Sequence, residues 1–192
     1  LLVESILREL ADIDNPKLID FCSGSGAIAI ALATELINCE VTAVEFSPEA
    51  FEFLRMNVAA QHEAIAKNNS RIEILNIDLT EADFPEGSFD AVVANPPYIP
   101  LEMVPKDPEV ALHDPPVALF SGSDGLDLIR VIAEKASKLL KPGGFVGIEH
   151  SELQGDKELG VPGILKAKNV FEKITDRNDF NGLSRYTVAK KI

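Results

Sequence analysis

Basic residues are the scarce charged class in this chain of 192 residues: 18 Lys plus Arg stand against 31 Asp plus Glu, a formal charge of −13. Nucleic-acid binders draw much of their affinity from clustered Lys and Arg, so this balance argues against a broad phosphate-binding face, and no direct nucleic-acid partner is expected. Long hydrophobic runs are missing as well. No stretch of about 18 apolar residues could span a bilayer, and the first ten residues lack the basic start and small-residue cleavage site of a secretory leader. A soluble, cytoplasmic protein without a membrane partner is the expectation. Only two cysteines occur, Cys22 and Cys39, both within or beside apolar strand-like runs; reduced, buried thiols fit this better than a disulfide. The three histidines, His62, His113 and His150, are far apart and have no metal-ligand spacing, so no metal site is implied. Neither an internal repeat nor a low-complexity tract is visible.

What is present is enough apolar content, 46%, for one sizeable core, and a single domain over residues 1–192 is expected. Leu1 to Leu10 has helical spacing but no capping residue at its start, as though the amino-terminal part of a larger protein were missing. Strand character follows at Lys17 to Cys22, Val41 to Glu45, Arg71 to Asn76, Phe89 to Ala94 and Phe145 to Glu149. Helical patterns fall at Ala27 to Ile37, from Ser47-Pro48-Glu49 to about Gln61, and at Leu126 to Leu140. This alternation predicts an α/β fold with a parallel sheet. Gly155 to Lys168 is a weak helix at best. Val170 to Asp176 and Ser184 to Lys190 read as a closing antiparallel pair around Asn181-Gly182. Ile99 to Asp124 is proline-rich and long for a routine connection, which suggests a lid or substrate-facing loop, with disorder as the plainer alternative.

Two stretches carry chemistry. Asp20-Phe21-Cys22-Ser23-Gly24-Ser25-Gly26 follows the first strand, and its glycines would let backbone N–H groups approach a ligand at a helix start. Gly24-x-Gly26-x-x-Ala29 also satisfies a dinucleotide fingerprint, and Glu45, about 20 residues on, is suited to accept hydrogen bonds from a ribose diol in either cofactor class. Asp78, just past the third strand, could accept an adenine amino proton with Ile77 or Leu79 on the ring, or could simply cap its own turn. Asp20 could orient the glycine loop instead of touching a ligand. The second stretch, Asn95-Pro96-Pro97-Tyr98, begins at the carboxyl end of an apolar strand, where open α/β sheets bind ligands. Its prolines fix their own φ and restrict the residues before them. The result is a stiff loop presenting the Asn95 amide, the Pro96 carbonyl and the flat face of Tyr98. Alone, the tetrapeptide could be no more than a proline-rich turn.

The acidic glycine loop, Glu45, Asp78 and Asn95-Pro96-Pro97-Tyr98 together resemble class I S-adenosylmethionine-dependent methyltransferases that modify a planar NH2 group. Further segments resemble the peptide-chain release factor glutamine methyltransferases, the PrmC/HemK family. They are Asn95 to Pro100, Ala118-Leu119-Phe120 with Gly122-x-Asp124-Gly125-Leu126-Asp127, Glu149-His150 with Gln154-Gly155, and Asn178 to Arg185. The resemblance covers nearly the whole chain, with two departures. Cys22 stands where such loops often have a glycine, and that family's amino-terminal helical recognition domain is absent.

The resemblance implies a Rossmann-like, mostly parallel seven-stranded sheet with a C-terminal antiparallel strand and helices on both faces. It implies methyl transfer from S-adenosylmethionine, leaving S-adenosylhomocysteine, to the N5 amide nitrogen of the glutamine in the Gly-Gly-Gln motif of class 1 release factors. The expected cofactor contacts are Asp20, Cys22, Ser23, Gly24, Gly26, Glu45, Phe46, Asp78, Leu79 and Asn95. The expected substrate contacts are Asn95, Pro96, Pro97 and Tyr98, of which Asn95, Pro96 and Tyr98 are catalytic. A monomer is favoured. Three other readings stay open: an adenine-N6 nucleic-acid methyltransferase using the same clamp on a flipped base, further behind a nicotinamide-dependent oxidoreductase, which leaves the clamp unexplained, and a non-catalytic methyltransferase-like binding module.

Overall fold

Alternate residues of the central strands serve two different cores, and this parity organises the molecule. In the computed structural model, which describes residues 1–103 and 119–192, strand β1 (Lys17–Phe21) sends Leu18 to one face and Ile19 and Phe21 to the other. Strand β4 (Phe89–Ala94) likewise sends Ala91 and Val93 one way and Val92 and Ala94 the other. Successive side chains of a strand point to opposite faces, so a run that is apolar throughout must be covered on both sides. Helices α1 (Leu2–Glu9), α2 (Ala27–Glu35) and α3 (Pro48–Ala60) cover the first face through Ile6, Leu32 and Leu54. Helices α5 (Asp127–Leu139) and α6 (Val161–Ala167) cover the second through Ile129, Ile132 and Leu165. Each of these wholly buried aliphatic side chains contributes about 1.5–3 kcal/mol relative to exposure.

The sheet has seven strands in the order β3-β2-β1-β4-β5-β7-β6. The remaining strands are β2 (Glu40–Glu45), β3 (Arg71–Asn76), β5 (Leu140–Glu149), β6 (Phe171–Asn178) and β7 (Ser184–Lys191). Strand β7 alone runs antiparallel to its neighbours. This is the expected α/β architecture. The chain moves outward from β1 through β2 to β3 and then returns to β4 on the other side of β1, so the β1–β4 boundary is a switch point whose carboxyl edge opens a crevice. Register fixes what meets there. Phe21 pairs with both Val44 and Ala94, Glu45 with Asn76, and Ala94 with Ile148. The residues that follow these positions therefore leave the sheet side by side.

Several boundaries differ from the sequence reading. Helix α2 stops at Glu35, because Leu36 is already extended, and a separate helix α4 (His62–Lys67) follows α3 after a break at Gln61. Strand β5 begins at Leu140, five residues before Phe145, with an irregularity between its pairings to Phe89 and Ala91. The weak helical pattern of Gly155 to Lys168 yields only Val161–Ala167. Most of the proposed lid, residues 104–118, lies outside the described residues, and so do Lys106, His113 and Ala118. Among the described residues no helix is long and apolar enough to cross a membrane.

Candidate functional site

The loop after β1 is built on Asp20. Its position in the strand points the side chain toward α2, where Oδ2 accepts a hydrogen bond from the Ala29 N–H at 3.2 Å, while its main-chain oxygen accepts one from the Ser23 hydroxyl at 2.8 Å. Oδ1 is buried without a partner. Burial is the chief reason that the Asp20 carboxyl titrates at about 7, opposed by the bonds from Ser23 and Ala29 and reinforced by the charge of Glu45. Asp20 thus sits beneath the loop.

Above it, Cys22 adopts φ +57° and Gly26, the N-cap of α2, φ +87°. A Cβ on Gly26 would lie 2.6 Å from Leu54 Cδ1, so the close packing of α2 against α3 and the left-handed turn both require glycine. Cys22 takes a similar backbone conformation with a side chain, at a cost of roughly 1–2 kcal/mol. Cys22 is half-buried and Cys39 buried, both as free thiols, and burial pushes the Cys22 thiol up.

Glu45, at the end of β2, is 9% exposed and grips backbone on two sides. Oε2 accepts from the Gly24 N–H at 2.7 Å and Oε1 from the Ser47 N–H at 2.8 Å. Each carboxylate oxygen retains acceptor capacity beyond these bonds. Ser47 in turn caps α3 by accepting from the Ala50 N–H. Asn76, which the sequence reading passed over, supports the same corner: its side-chain amide donates to the main-chain oxygens of Glu45 and Phe46. Asp78 Oδ1 accepts from both the amide and the hydroxyl of Thr80, the local capping role weighed as its alternative.

These elements enclose a cavity of about 510 Å³ at the carboxyl edge of β1, β2 and β4. That size suits a nucleoside-sized ligand. Of the residues singled out from sequence, Cys22, Ser23, Gly24, Glu45, Phe46, Asp78, Leu79, Asn95 and Pro97 line it, joined by Ile77. Asp20, Gly26, Pro96 and Tyr98 do not; the first two support the wall from behind. Val44, Phe120 and Leu128 complete the wall with apolar side chains from three separate elements, so no local pattern marks them as neighbours.

Asn95 is exposed on the cavity wall, while Pro96 and Pro97 are buried and Tyr98 is half-buried against the α5 side of the core. Burial raises the Tyr98 phenol above its ordinary value, and Glu149 adds to this while the facing Arg185 opposes it. Burial also raises Glu149. His150, wholly buried, is pushed down by burial; its Nδ1 lies 2.9 Å from the Ser151 carbonyl and Nε2 2.9 Å from the Thr187 hydroxyl. Its partners are on β7 and in the turn after β5, and it does not line the cavity. Among the described residues no group of three or more His, Cys, Asp and Glu side chains is gathered as metal ligands.

Comparison with known proteins points to methyltransferases. Residues 18–113 match the family model described as a methyltransferase domain. The release factor glutamine methyltransferase of Streptomyces coelicolor is 42% identical over 183 residues, covering 94% of this chain and 60% of that protein. The corresponding protein of Mycolicibacterium smegmatis is 40% identical over 178 residues, covering 91% and 59%. The chain therefore spans about three fifths of the length of these curated relatives. Among solved structures, a SAM-dependent methyltransferase from Aquifex aeolicus superposes with a TM-score of 0.58 at 14% identity, covering 99% of this chain and 89% of that one. At that identity the likeness is one of fold.

Proposed function

The chain belongs to the methyltransferase domain family, and from that premise we propose that it transfers a methyl group from S-adenosylmethionine to the side-chain amide nitrogen of the glutamine in the Gly-Gly-Gln motif of class 1 release factors. The observation that carries the proposal is that Asn95 and Pro97 share one cavity wall with Gly24 and Glu45. An amide-holding loop and a ribose-holding carboxylate thus face the same space.

The donor set fits the cofactor. Glu45 offers free acceptor capacity to a ribose diol, and Ile77, Leu79 and Val44 provide apolar surface for an adenine ring. The acidic surroundings of Glu45 and Asp78 favour a cationic ligand. Bound there, S-adenosylmethionine supplies an electrophilic methyl carbon on a sulfonium.

A carboxamide nitrogen is a weak nucleophile, because its lone pair is delocalised into the carbonyl. Holding it at near-attack distance is therefore most of the catalytic work. In the proposal the Asn95 side-chain oxygen and the Pro96 carbonyl each accept one N–H of the substrate amide, which aims the nitrogen and favours the positive charge that grows on it during attack. Tyr98 packs on the amide plane. As the N–C bond forms and the S–C bond breaks, the surplus proton leaves the nitrogen for water.

The relatives named for release factor glutamine support this acceptor over adenine, as does the shortage of basic residues. The test is labelled-methyl transfer from S-adenosylmethionine to a class 1 release factor and, in parallel, to adenine-containing DNA. Label on the release factor alone is expected; label on DNA alone would overturn the assignment of the acceptor.

A further inference from the structure

We propose that Gln154 is a positioning residue for the clamp: its carboxamide fixes the Tyr98 carbonyl and so sets where Asn95-Pro96-Pro97-Tyr98 holds an acceptor against the cavity. The inference rests on the clamp reading above and deepens it.

Gln154 ends a single 3-10 turn, Glu152–Gln154, just after β5 and is 5% exposed. Both ends of its amide are engaged. Oε1 accepts from the Ser151 N–H at 3.1 Å, and Nε2 donates to the Tyr98 carbonyl at 2.9 Å and to the Asp124 carbonyl at 3.2 Å. A neutral carboxamide combines an acceptor and two donors on one planar group, which neither Glu nor Met can reproduce. The fit leaves no spare room. A Cβ on Gly125, at φ +75°, would lie 2.1 Å from the Tyr98 carbonyl oxygen and 2.7 Å from Gln154 Nε2.

The need for such a strut follows from the tetrapeptide itself. Pro96 and Pro97 have no N–H to donate, so the loop's own backbone offers little to hold it, and its carbonyls must be fixed by donors from elsewhere. Upstream, Ala94 is held in the sheet by Phe21 and Ile148. Downstream, the Ile99 N–H donates to the Leu119 carbonyl and the Ser121 N–H to the Ile99 carbonyl, while Leu101 N–H reaches Gly122. Gln154 joins Tyr98 to this returning segment, which carries Phe120 to the cavity wall. Arg185 faces the other end of the same tyrosine, at its phenol. Losing the strut would let Tyr98 and the returning segment shift apart, and a misplacement of about 1 Å at a reacting group can cost on the order of 100-fold.

The experiment measures methyl transfer to a release factor and cofactor affinity for the wild type, Gln154→Met and Gln154→Glu. The methionine variant fills the same volume without hydrogen bonds. We expect its kcat to fall about 10- to 100-fold with the Kd for S-adenosylmethionine within about twofold of wild type. The glutamate variant regains one donor when protonated, so its kcat should rise as pH falls in a way that the wild type does not match. A folded methionine variant with wild-type kcat would overturn the proposal, and so would a cofactor Kd that weakens in step with kcat. Should the methionine variant fail to fold, the glutamate variant decides: a pH profile parallel to the wild type's overturns the role. Absence of transfer by the wild type itself would instead refute the functional reading, so the two failures are distinguishable.

Discussion

Replacing Glu45 with alanine separates the two tasks its carboxylate performs. Within the protein it accepts from Gly24 N–H at 2.7 Å and Ser47 N–H at 2.8 Å, so the substitution strips two backbone donors of a charged partner. A buried donor left unpaired costs about 1–3 kcal/mol. Gly24 and Ser47 are only half-buried, and water can reach them, so the lower end applies and a loss of about 2 kcal/mol in stability is expected. For the cofactor, each hydroxyl bond to a charged acceptor contributes roughly 1.5–3 kcal/mol, equivalent to about 10- to 150-fold in affinity. Calorimetric titration of S-adenosylmethionine into the variant should therefore show Kd weakened at least about tenfold, alongside a lower thermal midpoint. A lower midpoint with unchanged Kd would refute the ribose role and leave Glu45 as a tie between two loops.

Asn95→Ala should lower kcat for methyl transfer by about 100-fold, from loss of one preorganised partner of about 3 kcal/mol, while cofactor affinity stays near wild type; single-turnover kinetics beside calorimetry check this. Gly26→Ala forces a Cβ to 2.6 Å from Leu54 Cδ1 at φ +87°, and denaturant melts should show a loss of about 2–4 kcal/mol. The Asp20 carboxyl, held protonated up to about 7 by burial, binds a proton in the folded state that the unfolded chain has released, so wild-type stability should fall as pH rises from about 4 to about 7. Asp20→Asn lacks this proton. The stability difference should therefore shift in the variant's favour across that window and be flat above it, and a constant difference from pH 4 to pH 8 would count against the buried proton.

The framework of the site was legible because strand periodicity and loop chemistry are local. Lys17 to Phe21 and Phe89 to Ala94 are largely apolar runs, Arg71 to Asn76 alternates polar and apolar residues, all three are bounded by turn residues, and the glycine loop and clamp follow directly from the first two. What sequence could not supply was register. Only the pairing of Phe21 with both Val44 and Ala94 brings Cys22, Glu45 and Asn95 to one opening. The cavity wall is equally non-local, since Phe120 and Leu128 reach it across the sheet's edge. Lys141-Pro142-Gly143-Gly144 reads as a turn by composition, yet the chain there is already strand, with the irregularity beside Phe89 absorbing the mismatch. Asn76 carries no signal of its own, and Gln154 stands out only within a family-like segment that does not tell its role; side-chain amides become informative once the backbone groups they satisfy are known.

In the proposed function, Asn95-Pro96-Pro97-Tyr98 presents a glutamine amide to a methyl donor in the adjoining cavity. The decisive measurement is incubation of the protein with S-adenosylmethionine and a class 1 release factor, followed by peptide mass spectrometry. A single added methyl group is expected on the glutamine of the Gly-Gly-Gln motif, lost when Asn95 is replaced by alanine. A methyl group on any other residue, or one that persists in the Asn95→Ala variant at the wild-type rate, would contradict the proposed function.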